Sequence, residues 1–268
     1  MTFFVYMDMK RKIIVGLFLG MASVPVMGQF TYGTTGLLHM PTADMQKDKT
    51  FMFGGGRLNK QATPSSWYYD TYNYYVNITF FPWMEVGYTC TLFSAEHLGV
   101  DKYGHSGFTN QDRSFHGRLR LWKEGWWKEW TPQIVAGVND ATTGTGGDYT
   151  NMGVEGDGNG YFNRYYVAAS KHFNWYGEWG VHAAYLYNRR NIDKLNGPAF
   201  GVDYRFALKS GSLWSDALNG LNLMGEYDSE YVNVGAKYSL WKERINIVGE
   251  LRKCRYPSVG VYFKVTLK

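Results

Sequence analysis

Cysteine is scarce in this chain, with two residues in 268. That excludes the dense disulfide framework of a small secreted domain. Alternation points Cys90 outward and Cys254 inward on strands far apart in order, so no disulfide is expected between them. Net charge is also small, +5 overall and +3 once residues 1–28 are removed, which is too weak to indicate a nucleic-acid partner. Long apolar runs are absent after Gln29, which excludes a transmembrane helix of about 20 residues.

Chemical signatures are lacking as well. The histidines are His39, His97, His105, His116, His172 and His182. None stands in a nucleophile motif, and no Gly-x-Ser-x-Gly occurs, so no catalytic constellation is read. The glycines do not follow a strand and open a helix, which excludes a dinucleotide fingerprint. Asp148, Glu155 and Asp157 share one glycine-rich loop, but no glutamate closes an EF-hand there. His97 and His105 share another loop, and two loop histidines do not define a metal site. No catalytic residue, metal or cofactor is therefore assigned.

Lys10, Arg11 and Lys12 precede an apolar run from Ile13 to Val26, followed by a small residue, Gly28. The run is too short to span a bilayer and reads as a signal peptide over 1–28, cleaved before Gln29. Beyond it, aromatics are abundant, with 22 Tyr, 16 Phe and 10 Trp, beside 32 Gly. Girdles of large aromatics are what a transmembrane barrel needs at its two lipid interfaces.

Period-2 alternation organises the rest. Val259, Val261, Phe263, Val265 and Leu267 point one way, while Gly260, Tyr262, Lys264 and Thr266 point the other. The same split separates Leu119 and Leu121 from His116, Arg118 and Arg120, and Phe200 and Val202 from Asp203 and Arg205. A soluble sandwich would bury the apolar face. A barrel turns it toward lipid and puts the charges in the lumen. Trp83, Trp122, Trp126, Trp127, Trp130, Trp175 and Trp241 fall at every second connection, the spacing of one interface girdle, and favour the barrel.

The expected fold is thus all-β, a transmembrane antiparallel up-and-down β-barrel of about 12 strands, one domain over 29–268. Strands are expected near 49–58, 70–81, 84–94, 112–123, 131–141 and 160–173. Six more are expected near 176–189, 196–208, 219–228, 231–241, 244–254 and 256–268, with a helical turn at Leu213 to Leu218. The even count puts both barrel termini on the periplasmic side. It makes 95–111 and 140–160 outer loops.

Inward residues are expected to be Tyr75, His116, Arg118, Arg120, Asp203, Arg205, Glu226, Lys237, Glu250, Arg252 and Lys264. Glu226, Lys237, Glu250 and Lys264 alternate in sign on successive strands and read as a cross-strand ladder. Tyr103, Phe108, Tyr149 and Asp157 are the outer-loop candidates for sugar contact.

Five segments together resemble the YjbH-type family of exopolysaccharide-associated outer-membrane proteins. They are Gly33 to Ala43 (GTTGLLHMPTA), Asn77 to Thr89 (NITFFPWMEVGYT), Asp112 to Gly125 (DRSFHGRLRLWKEG), Thr131 to Gly146 and Tyr161 to Phe173. The resemblance is to a short, single-barrel member. It implies a non-enzymatic barrel of a Gram-negative outer membrane, working beside export of extracellular polysaccharide. Its partners would be membrane lipid, the polymer and periplasmic export proteins. A small-solute channel and a structural partner of an envelope complex are the alternative readings.

Overall fold

The computed structural model describes residues 28–29, 31–62, 70–94, 108–140, 163–188, 196–209 and 211–267. The expected signal peptide lies outside them except for Gly28. So do Tyr103, Tyr149 and Asp157, the loop histidines His97 and His105, and the loop carboxylates Asp148 and Glu155.

A two-residue ladder, β1 (Gly28–Gln29) on β2 (Thr34–Thr35), comes first. The barrel strands then follow as β3 (Thr50–Leu58), β4 (Thr71–Phe81), β5 (Met84–Ser94), β6 (Phe108–Trp122), β7 (Gln133–Asn139) and β8 (Arg164–Asn174). The remaining six are β9 (Glu178–Tyr187), β10 (Gly197–Arg205), β11 (Leu221–Tyr227), β12 (Val232–Leu240), β13 (Ile245–Arg252) and β14 (Tyr256–Thr266). Each pairs antiparallel with its chain neighbours, and β14 returns to β3, closing a barrel of twelve strands. Closure leaves no open sheet edge. At the seam Phe53 stacks on Phe263 at 5.1 Å. Gly54 faces Tyr262 there, and a Cβ on it would stand 2.5 Å from the tyrosine Cβ.

The alternation resolves into an inverted distribution of polarity. Outward Phe115, Leu121, Val167 and Phe200 are each more than half exposed, while inward Glu85, Arg118, Arg164, Glu226, Lys237 and Glu250 are buried. Nine tryptophans (Trp83, Trp122, Trp126, Trp127, Trp130, Trp175, Trp179, Trp214 and Trp241) lie at one end, in or beside the connections that follow β4, β6, β8, β10 and β12. The short turns 82–83, 175–177 and 241–244 belong to this end, called the short-turn end below. It also carries α1 (Leu213–Asn219), which Ser212 and Ser215 start with a reciprocal capping box.

Two boundaries differ from the sequence reading. Phe108 begins β6 and is not part of an outer loop, because that strand starts four residues earlier than its alternation shows. Cys254 is not an inward strand residue: it sits exposed in the turn after β13 with φ 55. Cys90 is buried, and both thiols are free.

The barrel's core lies inside it. Residues 31–46 run through the lumen, all of them buried. Leu37, Leu38, Met40, Ala43 and Met45 pack there with wall residues that include Met52, Tyr75, Leu186, Met224, Val248 and Tyr262. Small wall residues make room for this plug. A Cβ on Gly201 would stand 2.3 Å from Leu37 Cδ1 and 2.6 Å from Met40 Sδ. Gly201→Val is expected to cost about 1–3 kcal/mol through overpacking, read as a lower unfolding midpoint in detergent. An unchanged midpoint would mean that the plug does not rest on this wall.

Candidate functional site

The plug is irregular backbone, and irregular backbone buried in a lumen must find hydrogen-bond partners. Within 36–41 it turns on itself: Leu37 N–H donates to Met40 O at 3.1 Å, and Gly36 bridges Pro41. The turn aims three amides at one carboxylate. Leu38 N and Met40 N donate to Glu226 Oε2 at 3.0 and 3.1 Å, and His39 N donates to Oε1 at 2.7 Å. Asn233 donates to the same carboxylate at 3.1 Å. Pro41 follows the last of these donors, and its missing N–H leaves nothing unsatisfied there.

Other wall charges grip the plug along its length. Glu85 accepts from Thr35 N at 2.9 Å and Thr35 Oγ1 at 2.7 Å. Arg118 donates to the carbonyls of Thr35, Thr42 and Asp44, the last at 2.7 Å. Arg164 donates to His39 O at 2.5 Å and lies over the Tyr32 ring at 3.5 Å. His39 Nε2 stands 2.8 Å from Glu250 Oε2. Ala43 is held by its N–H to Ser170 Oγ at 2.7 Å and by its carbonyl to Gln133. Asn73 and Thr89 donate to the carbonyls of Thr31 and Tyr32.

The inward residues named from the sequence divide into three groups. Arg118, Glu226 and Glu250 contact the plug directly. Tyr75 packs against Gly33, where an added Cβ would stand 2.5 Å from the tyrosine Cβ. Gly33 holds φ +65, so both its backbone and its surroundings require glycine.

The second group braces the wall. His116 Nδ1 accepts from Asp140 N at 3.2 Å, and Arg120 reaches Gln133 at 3.5 Å. Arg205 lies 3.3 Å from Glu243, and Arg252 donates to Asp228 at 2.8 Å. Asp203 pairs with His182 at 2.8 Å. Lys237 and Lys264 form the third group, buried near the short-turn end, with Lys264 Nζ 5.6 Å from the Tyr262 ring.

The expected ladder of Glu226, Lys237, Glu250 and Lys264 does not form. Register sets Glu226 opposite Asn233, Lys237 opposite Val248, Glu250 opposite Ser258 and Lys264 opposite Met52. The glutamates turn to the plug instead. Sequence reasoning missed the plug and its partners Glu85, Gln133, Arg164 and Ser170.

A second constellation lies at the short-turn end. Ser170 Oγ is 2.8 Å from His182 Nδ1, and His182 Nε2 is 2.8 Å from Asp203 Oδ1. The row of Ser, His and Asp resembles a hydrolytic triad, but Ser170 and His182 are both buried and the plug amide of Ala43 occupies Ser170 Oγ. A substrate carbonyl has no approach to that oxygen while the plug is seated. Nearby, Glu124 in the connection after β6 accepts from His172 N at 3.0 Å and lies 2.7 Å from His172 Nδ1. Burial opposes its ionisation, yet the His172 and Lys171 hydrogen bonds hold its carboxyl down at about 2.

The five segments that carried the family resemblance meet at the plug. Gly33 to Ala43 is the plug itself, and the other four supply Glu85 and Thr89, Arg118, Gln133, and Arg164 with Ser170. Residues 28–230 match the YjbH family, described as "Exopolysaccharide biosynthesis protein YbjH". The chain belongs to this family. A curated relative, "Uncharacterized lipoprotein YjbH" of Escherichia coli (strain K12), is 28% identical over 145 residues. That alignment covers 53% of this chain and 16% of the relative, so this YjbH-family chain spans a small part of the relative's length.

Among solved structures, the Escherichia coli outer membrane phospholipase A is similar at 12% identity and a TM-score of 0.39, over 82% of this chain and 93% of that one. The calcium-bound Salmonella typhi phospholipase dimer gives 11%, 0.37, 82% and 91%. Likeness at that level assigns no chemistry to the YjbH-family barrel.

Two outcomes test this site. Glu226→Ala leaves three buried plug amides without their acceptor, each worth about 1–3 kcal/mol, so the plug should loosen before the barrel melts. Unfolding monitored separately at plug and barrel positions reads the order, and a single unshifted transition contradicts it. Beside Glu226, in the connection after β11, burial opposes ionisation of Asp228, but Arg252 and the Tyr231 amide hold its carboxyl below the ordinary value. A depressed folded value stabilises above the unfolded value and is lost as pH falls through the folded one. Asp228→Asn should therefore lower stability at neutral pH and flatten the acid limb below about pH 4. A parallel acid limb in the variant would contradict the pairing.

Proposed function

We propose that this chain is a non-enzymatic outer-membrane barrel that assists exopolysaccharide export or surface assembly, with its lumen held closed by residues 31–46. The observation that carries the reading is the filled lumen, because a barrel whose charged wall holds residues 31–46 inside it does not serve as an open pore. The exposed apolar belt over buried charges supports insertion in lipid. The short turns at one end support a periplasmic orientation for that end, and the basic, apolar and small-residue order of residues 10–28 supports a cleaved signal peptide. The outer loops, with Tyr103, Tyr149 and Asp157, are the proposed sugar-facing surface. Phe108 stands at the base of one of them. Membrane lipid, the polymer and periplasmic export proteins are the partners.

Catalysis has little support, since Ser170 is closed off by Ala43. A small-solute channel is disfavoured for the same reason as an open pore.

The test is sugar analysis of cell surface and medium in a strain lacking the protein, complemented with the natural chain or with Glu226→Ala. A selective loss of extracellular polysaccharide, restored by the natural chain and not by the variant, is expected. Unchanged polysaccharide with altered uptake of small solutes would overturn the export role.

A further inference from the structure

Asp44 lies on the plug, while His172 and His182 lie on β8 and β9 of the wall. Their ligand-capable atoms all fall within 4.8 Å of one another. His172 is opposite Gly180, and Ser170 is opposite His182, so the two histidines are diagonal neighbours across one strand pair with no side chain between them. We propose that Asp44, His172 and His182 bind a divalent first-row transition ion, with zinc as its simplest representative, and that this ion ties the plug to the barrel wall.

The geometry carries the proposal in three ways. First, both histidines spend their outer nitrogen on a carboxylate. His172 Nδ1 is 2.7 Å from Glu124 Oε2, and His182 Nε2 is 2.8 Å from Asp203 Oδ1. Those carboxylates are themselves held, Glu124 by Lys171 at 2.9 Å and Asp203 by Asn222 at 2.8 Å. A carboxylate behind an imidazole fixes the tautomer that leaves the other nitrogen free as a ligand, as in metal-binding histidines.

Second, the inner nitrogens converge on Asp44. His172 Nε2 is 3.3 Å from Asp44 Oδ1, and His182 Nδ1 is 3.9 Å from Asp44 Oδ2. A tetrahedral ion with bonds of about 2.0–2.2 Å holds its ligand atoms about 3.3–3.6 Å apart, so the Asp44–His172 distance already fits and the other ligand atoms would draw inward from within 4.8 Å. Third, His172 Nε2 is buried and makes no hydrogen bond despite standing beside a carboxylate. The ion would give that nitrogen a partner.

The donor set is two imidazoles and one carboxylate, which suits zinc or iron(II) better than calcium or magnesium. Ser170 Oγ, 2.8 Å from His182 Nδ1, would give up that contact while keeping the Ala43 amide. A small pocket at the short-turn end, lined by His172, Glu178, Trp179, Asp203, Arg205 and Asn222, reaches one of the three ligands. Asp44 itself is oriented by Thr42, whose Oγ1 lies 3.0 Å from Asp44 Oδ2. No spacing pattern linked these residues in the sequence, because Asp44 is more than a hundred residues from the pair.

The test uses the full chain, folded in detergent, stripped with a chelator and titrated with Zn²⁺ and with Co²⁺. One equivalent of either is expected to bind, and cobalt should give the visible absorption bands of a four-coordinate site. Asp44→Asn, nearly isosteric, should weaken binding at least 100-fold. Glu124→Gln, which meets the ion only through His172, should weaken it about 10–100-fold. Absence of cobalt bands in the unsubstituted chain, a measurement that needs no variant to fold, would overturn the proposal. So would equal affinity in folded Asp44→Asn. The cluster would then be a hydrogen-bonded network that ties the plug to the wall without a metal.

Discussion

Charge enclosed in a small barrel needs a partner, and here the partner is the backbone of the chain's own preceding segment. Taking an ion out of water costs several kcal/mol unless it is paired and hydrogen-bonded. Glu85, Arg118, Arg164 and Glu226 point into the lumen, and the amides and carbonyls of residues 31–46 answer them. The dependence runs both ways. A segment without regular structure has no internal ladder, so its own polar groups would be orphaned without the wall charges. Apolar Leu37, Leu38 and Met40 then fill the space that the polar contacts leave.

This pairing explains why an apolar core sits inside a barrel whose outer face is also apolar. The outer face alternates with the inner one strand by strand, and the plug supplies the missing second layer for the inner face. Small wall residues mark where it passes. Gly201 leaves room for Leu37 and Met40, and Gly235 leaves room for Leu38.

The barrel was legible in the sequence because a strand writes its two faces at period 2. The residues of β14, from Val259 to Thr266, could be assigned to faces one by one, and the even count followed from the twelve strands expected from this alternation. The plug was not legible, for the same physical reason that it needs the wall: irregular backbone has no period. Glu226 and Glu250 were readable as inward, yet neighbouring strands were the natural place to seek their partners. The real partners of Glu226 are amides 186 to 188 residues away, a distance no local pattern spans. One signal was available. Leu37, Leu38 and Met40 form an apolar cluster with neither strand nor helix periodicity, directly before a barrel with unbalanced inward charge. The segments that carry the family resemblance are the ones that build this plug and its grip, which joins the family assignment to a physical structure.

The most direct measurement is native-state hydrogen exchange of the plug amides in the folded chain. The account predicts that Thr35, Leu38, His39, Met40 and Ala43 exchange as slowly as barrel-strand amides, because each donates to a buried wall acceptor or, for Met40 and its neighbours, to the Glu226 carboxylate. Exchange of these amides at the rate of an unstructured segment, with the barrel strands still protected, would contradict it.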